Sequence, residues 1–361
     1  MTHRPQKAVD FAPVAIVTNL LRRHVPRSLV LAFLLLPILK ALGQQREPAS
    51  AVLTRSITLR TPESVPPLAE VTGAAIDDQR RLIVLDGRQN ALRVYAPDGA
   101  LIAKTASPGM SSGVRVPVGV VVDGQNHVST FDVATHRLYK YRLEKENVQL
   151  ADSAGLKLEA FDLCAMHGRF YLLGLHEGQL IHQVTAGGKI VRSFGEPFGG
   201  DHEMLRRSLA RGRIACFPER RMIVIASTVV PNVRAYRDDG RLVWQDSVVG
   251  AKRVNVVIRS ATSVSYQRPP AGYHVTASLQ SLGQGGVLLQ LGLVTAQHSQ
   301  PGDYAAVESR ILDVATGREL GRQTSLPRVI AVGKQRLATT GGTPLPTVTI
   351  HDYAFRGSRD K

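Results

Sequence analysis

The sequence predicts an all-β protein built as a ring of repeated four-stranded antiparallel units, and three observations carry that prediction. Gly and Pro number 32 and 20 among 361 residues, and hydrophobic residues make up 43%. That mixture is rich in turns yet apolar enough to bury a core, which excludes a disordered chain, a coiled coil and a multi-span membrane protein. A motif of about 46 residues recurs along the chain, each copy reading as three or four β-prone runs separated by polar turns. The last copy stops one strand short, while a lone β-prone run stands ahead of the first, as expected of a ring closed by its own N-terminal strand.

Taken from the N-terminus, the first element is a leader. Ser28 to Leu39 reads SLVLAFLLLPIL, without a charge, after Arg22, Arg23, His24 and Arg27. A bilayer span needs about 20 residues, whereas a run of about 7 to 15 suits the core of a signal peptide. Ala41 and Gly43 supply the small residues that a signal peptidase reads, so cleavage is expected after Gly43. Lys40 at the end of the run keeps an uncleaved anchor as the alternative. The expected location is therefore outside the cytoplasm, periplasmic or secreted, with no stable membrane span after cleavage.

The repeat comes next. Residues 71–99 and 116–143 align without a gap from Gly73 and Gly119, at a constant offset of 46. Ile76-Asp77 then matches Val122-Asp123, Leu85-Asp86 matches Phe131-Asp132, and Leu92 to Tyr95 matches Leu138 to Tyr141. Each copy is an apolar run, an Asp-led turn, a second run, a polar turn and a third alternating run, which predicts antiparallel strands. Two worn copies follow at Phe161–Gly188 and Arg213–Gly240. A fifth stretches from Ala261 to Leu320 through VSYQ, VLLQLGLV and SRILDV, with a long loop at Gln297–Asp303, and a sixth runs from Arg328 through TVTIHDYAF. The run Ser56 to Leu59 is expected to pair with TVTIHDY and complete the sixth copy.

Units of this length with four strands each predict a six-bladed β-propeller, with seven blades as the alternative. The expected organisation is a leader over residues 1–43, a linker over 44–55, the propeller over 56–356 and a short tail over 357–361. The string Pro117-x-Gly119-Val120-x-Val122-Asp123, followed by Phe131-Asp132 and His136-Arg137-Leu138-x-x-Tyr141, resembles an NHL repeat. The whole is similar to the NHL-like six-bladed propellers of exported bacterial proteins. That resemblance implies the fold; such proteins serve as interaction platforms, as accessories in polysaccharide handling and as occasional enzymes, so it selects no single function.

Lysine and arginine outnumber aspartate and glutamate by 45 to 29, a formal charge of +16. The basic residues are scattered, no block of five or six forms, and aromatics are only 5%, a pattern unlike that of nucleic-acid readers. Nucleic acid is therefore not the expected partner. Asp86 and Asp132 end equivalent strands and are expected to accept backbone hydrogen bonds across a turn. They do not make a carboxylate ring, because Gly174 and Ala226 or Ser227 stand at that position in the next two copies. Neither HxH nor HExxH occurs, and no metal or cofactor site is expected. Gly109–Gly113 matches GxSxG but lacks the flanking strand and helix of a nucleophile elbow. Trp244 is expected in packing.

The sharpest polar cluster is Asp201, His202 and Glu203, followed by Arg206 and Arg207, in the link between the third and fourth blades. Such links pass near one mouth of the channel, so these five residues are the candidate binding site for an ion or acidic ligand. Cys164 and Cys216 occupy equivalent positions in neighbouring copies. Free thiols are expected, since a disulfide needs Cα atoms within about 7 Å and strands of different blades usually stand farther apart. The functional expectation is a monomeric exported binding or scaffold protein recognising a protein, peptide or glycan on one face. The alternative is a metal-dependent hydrolase or lactonase with its site in the channel.

Overall fold

The structure, a computed structural model, describes residues 48–105, 115–123, 126–145, 147–298, 302–342 and 345–356. The expected signal peptide, its cleavage site after Gly43, the Gly109–Gly113 match and the 357–361 tail lie outside those residues.

Six four-stranded antiparallel sheets form the blades. The chain starts with β1 (Ser50–Thr58), which does not belong to the first blade. Blade one is β2 (Val71–Ile76), β3 (Leu82–Asp86), β4 (Ala91–Tyr95) and β5 (Leu101–Lys104), and blade two is β6 (Pro117–Val122), β7 (His127–Asp132), β8 (Arg137–Leu143) and β9 (Val148–Gly155). Blade three is β10 (Asp162–Met166), β11 (Arg169–His176), β12 (Gln179–Val184) and β13 (Ile190–Phe194). A short helix, α1 (Glu203–Leu209), leads to blade four: β14 (Gly212–Phe217), β15 (Met222–Ser227), β16 (Asn232–Arg237) and β17 (Leu242–Ser247). A separate hairpin of β18 (Asn255–Ser260) and β19 (Ser263–Gln267) precedes blade five, which is β20 (Tyr273–Gly283), β21 (Gly286–Val294), β22 (Ala306–Asp313) and β23 (Glu319–Gln323). Blade six is β24 (Arg328–Gly333), β25 (Arg336–Gly341) and β26 (Thr347–Arg356), with β1 as its outermost strand.

The closure expected from the sequence is present, with Ser56 opposite His351, Ile57 opposite Ile350 and Thr58 opposite Thr349. It is also longer than expected. β1 begins at Ser50, so residues 50–55, read as linker, are strand. Ala49 and Ala51 are buried, and Ala51 exchanges hydrogen bonds with the Gln323 side chain of blade five. The VSYQ run is a second correction: it forms β19 of the separate hairpin, and the inner strand of blade five is Tyr273–Gly283. Alternating apolar residues fit either setting, so the pattern could not distinguish them.

The core is divided into six apolar clusters, one at each seam between neighbouring blades. This explains the burial gradient within a blade. Strands β3 and β15 are buried at every residue, because both of their faces meet another blade, whereas the outer strand β17 is mostly exposed. Trp244 of β17 lies across the seam between blades four and five, packing on that cluster and donating its indole N–H to the Val314 carbonyl at 2.7 Å.

Candidate functional site

The first strands of the blades, β2, β6, β10, β14, β20 and β24, surround a channel with a cavity of about 250 Å³. Their close approach depends on Gly119, whose φ of +61° and lack of a side chain both matter: a Cβ there would meet Leu163 and Asp162 of the next blade. Most of the lining is small or aliphatic. Charged exceptions are Asp162, Arg213 and Arg328, from blades three, four and six, all near the N-terminal ends of their strands and therefore toward one mouth.

Asp162 is buried, and its Oδ1 accepts the N–H of Leu163 at 3.0 Å while Oδ2 accepts that of Ile214 in the next blade at 3.1 Å. Burial pushes its carboxyl above the ordinary value, against the opposing influence of the Arg213 charge and the two N–H donors. Farther along the same two strands, Cys164 and Cys216 form a disulfide with a Cα separation of 5.6 Å. The expectation of free thiols is thus corrected. Inner strands converge on the channel axis, so adjacent ones come within the reach of a bridge even though they are not hydrogen-bonded neighbours in one sheet.

Two additions to the four-stranded plan, α1 and the β18–β19 hairpin, lie in the connections that lead into β14 and β20, on the face where those inner strands begin. His202 N-caps α1, its Nδ1 accepting the Leu205 N–H at 3.3 Å, and its Nε2 lies 2.9 Å from the Ser260 carbonyl, which ties the helix to the β18–β19 hairpin. Arg206 donates to the Gly200 carbonyl and pairs with Asp201 at 3.0 Å, and Arg207 pairs with Glu203 at 2.7 Å. The structure therefore brings all five sequence-chosen residues together, with the four charged ones in two facing pairs at the surface and His202 engaged in the cap and with Ser260. At exposed positions such pairs contribute little stability. Tyr304, in the connection between β21 and β22, stands close enough to Arg328 for its phenol to influence that guanidinium.

Asp86 and Asp132 take the structural part expected of them. Asp86 accepts the N–H groups of Ala69, Glu70 and Gln89, and Asp132 those of Arg115, Val116 and Thr135. In blade three, where Gly174 replaces the carboxylate, buried His182 approaches the Gly174 carbonyl at 3.0 Å and the Ser193 hydroxyl at 2.9 Å. Burial lowers its imidazole below the ordinary value, outweighing the Gly174 carbonyl. Among the described residues no group of three or more His, Cys, Asp or Glu is arranged to hold a metal ion, and no helix is long and apolar enough to cross a membrane.

Sequence reasoning missed Asp162, Arg213 and Arg328. Their signal was positional: each is the first or second residue of an inner strand, a place filled by apolar or small residues in the better-matched repeats.

No protein-family model matches the chain, and no curated protein matches it in sequence. Among solved structures it is similar to a member of the DUF4221 family from Bacteroides vulgatus, with a TM-score of 0.58 at 6% identity, covering 87% of this chain and 100% of that one. It is also similar to a protein described as exported from Bacteroides fragilis, with a TM-score of 0.50 at 9% identity, covering 85% and 95% of the two chains. At such identities the likeness is one of fold, in agreement with the ring described above, and it carries no activity across.

Proposed function

We propose that this chain is an exported, non-enzymatic binding propeller that recognises a protein, peptide or glycan on the face bearing α1 and the β18–β19 hairpin. The observation that carries this reading is the gathering of two elements foreign to the blade plan, linked through His202 and Ser260, on the face where the inner strands begin with Asp162, Arg213 and Arg328. Extra elements on one face of a rigid ring are where propellers and other scaffolds place recognition. Asp201, His202, Glu203, Arg206 and Arg207 form the polar part of that surface, and Ile258 of the hairpin, 54% exposed, offers an apolar contact. Export is supported by the charge-free run Ser28 to Leu39 and by the Cys164–Cys216 disulfide, which suits an oxidising compartment.

The test is binding of the labelled full chain to arrays of peptides and glycans. Saturable binding by one class is expected, weakened when Arg206, Arg207 and Ile258 are replaced by alanine together. Binding unaffected by those changes would move recognition off this face. Stoichiometric calcium or zinc in the purified protein, together with turnover in an ester and lactone screen, would overturn the reading in favour of channel hydrolysis.

A further inference from the structure

Among the described residues the buried arginines Arg93, Arg310 and Arg336 are paired, whereas half-buried Arg328 is not. Arg93 meets Asp86 at 3.3 Å, Gln89 at 2.6 Å and the Pro66 carbonyl at 2.7 Å. Arg310 meets Glu308 at 2.8 Å and Glu319 at 3.4 Å, which answer its charge although one Nη is unbonded. Arg336 meets Asp352 at 3.2 Å and the carbonyls of Arg80 and Pro97. Arg328 has no such partners: its Nε is shut off from solvent without an acceptor, and its side chain makes no hydrogen bond or ion pair among the described residues. Arg213, also on the channel wall, likewise makes no side-chain hydrogen bond or ion pair among the described residues.

An unanswered guanidinium in a protein wall is costly, and the cost falls when an anion supplies the missing acceptors. Burial draws the Arg328 guanidinium below its ordinary value, Tyr304 opposes that, and the Arg213 charge adds to it. Asp162 is the one carboxylate among the described residues that line the channel, and both of its oxygens are engaged by backbone N–H groups, so two guanidinium charges share the lining with at most one negative charge.

We propose that Arg213 and Arg328 form an anion-binding site inside the channel, taking the carboxylate or phosphate group of a small ligand. The cavity of about 250 Å³ has room for such a group and its immediate substituents, and it excludes a folded chain. A planar guanidinium suits the two oxygens of a carboxylate or phosphate, and the low-dielectric wall strengthens the attraction. This inference goes beyond the face recognition proposed above, adding a site for a small anionic group within the channel.

The experiment is isothermal titration of the full chain with inorganic phosphate, oxalate and citrate at low ionic strength. It compares the parent with Arg328→Gln, Arg328→Lys, Arg213→Gln and the surface control Arg60→Gln, whose side chain is 68% exposed. Saturable one-to-one binding of at least one anion is expected, weakened at least about tenfold by Arg328→Gln and by Arg213→Gln and unchanged by Arg60→Gln. Circular dichroism checks each fold; if Arg328→Gln does not fold, Arg213→Gln and Arg328→Lys decide. No saturable binding up to about 10 mM, or equal weakening by Arg60→Gln, would overturn the site, the second outcome showing attraction to net charge alone. Array binding that persists while all three anions fail would overturn the anion site and leave the face-binding reading standing.

Discussion

Cys164 is bonded to Cys216, and two residues earlier on the same strands Asp162 accepts the N–H of Ile214, each pair separated by 52 residues. The common separation means that the inner strands of blades three and four run side by side in the same direction, linked twice across one seam. One link is covalent and the other a hydrogen bond from the Ile214 N–H to the buried Asp162 carboxyl.

Replacing both cysteines by alanine should destabilise the protein by about 2 to 4 kcal/mol, the range for a cross-link that closes a loop of this length in the unfolded chain. Urea unfolding of parent and double variant reads the difference. Alkylation in denaturant without reductant should add no label to the parent, and prior reduction should add two. Equal unfolding curves, or labelling without reductant, would contradict the bridge.

Asp86→Ala should cost about 3 to 5 kcal/mol, because it strips the carboxylate from three backbone donors and leaves the buried Arg93 guanidinium without its counter-charge. Adding Arg93→Met should recover part of the loss. A double-mutant cycle in urea measures the coupling, and additive effects would show that the pair is not coupled.

The buried histidines should weaken stability in mild acid, while the raised Asp162 carboxyl, which takes up its proton in the folded ring, works in the opposite direction. Burial lowers the imidazoles of His182, His274 and His351 below their ordinary value of 6.5, so the unfolded chain takes up protons that the folded ring refuses. Their neutral-form stabilisation is fully present above pH 6.5 and is lost as pH falls through the lowered folded values. Each histidine can steepen the decline by up to about 1.4 kcal/mol per pH unit. Unfolding midpoints between pH 8 and pH 5 test this, and His182→Gln should flatten the slope by one proton's worth.

Deleting residues 44–60 should open the ring. It leaves β26 as an unpaired edge and removes Ala49 and Ala51 from the seam between blades five and six. The melting temperature should fall by on the order of 10 °C, several kcal/mol in a domain of this size. A synthetic peptide spanning residues 48–60 should restore part of it. A truncated protein that melts with the parent would show that closure contributes nothing.

Much of this architecture was legible. The offset between Gly73 and Gly119 revealed blades one and two because their turn residues and alternating runs are intact, and the missing last strand led to the pairing of Ser56 to Leu59 with TVTIHDY, whose register the structure sets with Ile57 opposite Ile350. Blade five was harder, since VSYQ alternates as a blade strand does and nothing local says that its partner is the short β18. The cysteines were seen to be equivalent, but a sequence contains no distance across a seam. The channel charges failed for a related reason. Arg213 and Arg328 are far apart along the chain and share a site only once the ring closes, whereas Asp201 to Arg207 drew attention by being contiguous.

Ser50 and Arg356 are register partners at the edge of blade six, so the chain enters and leaves the ring side by side. A short peptide joining those two positions would span almost no distance, and new ends could then be cut in any exposed turn without removing a strand. The order in which the blades are strung along the gene is therefore separable from the order in which they stand around the axis. A cargo or surface attached at this shared doorway would be held by the rim of a blade, leaving the charged mouth of the channel open.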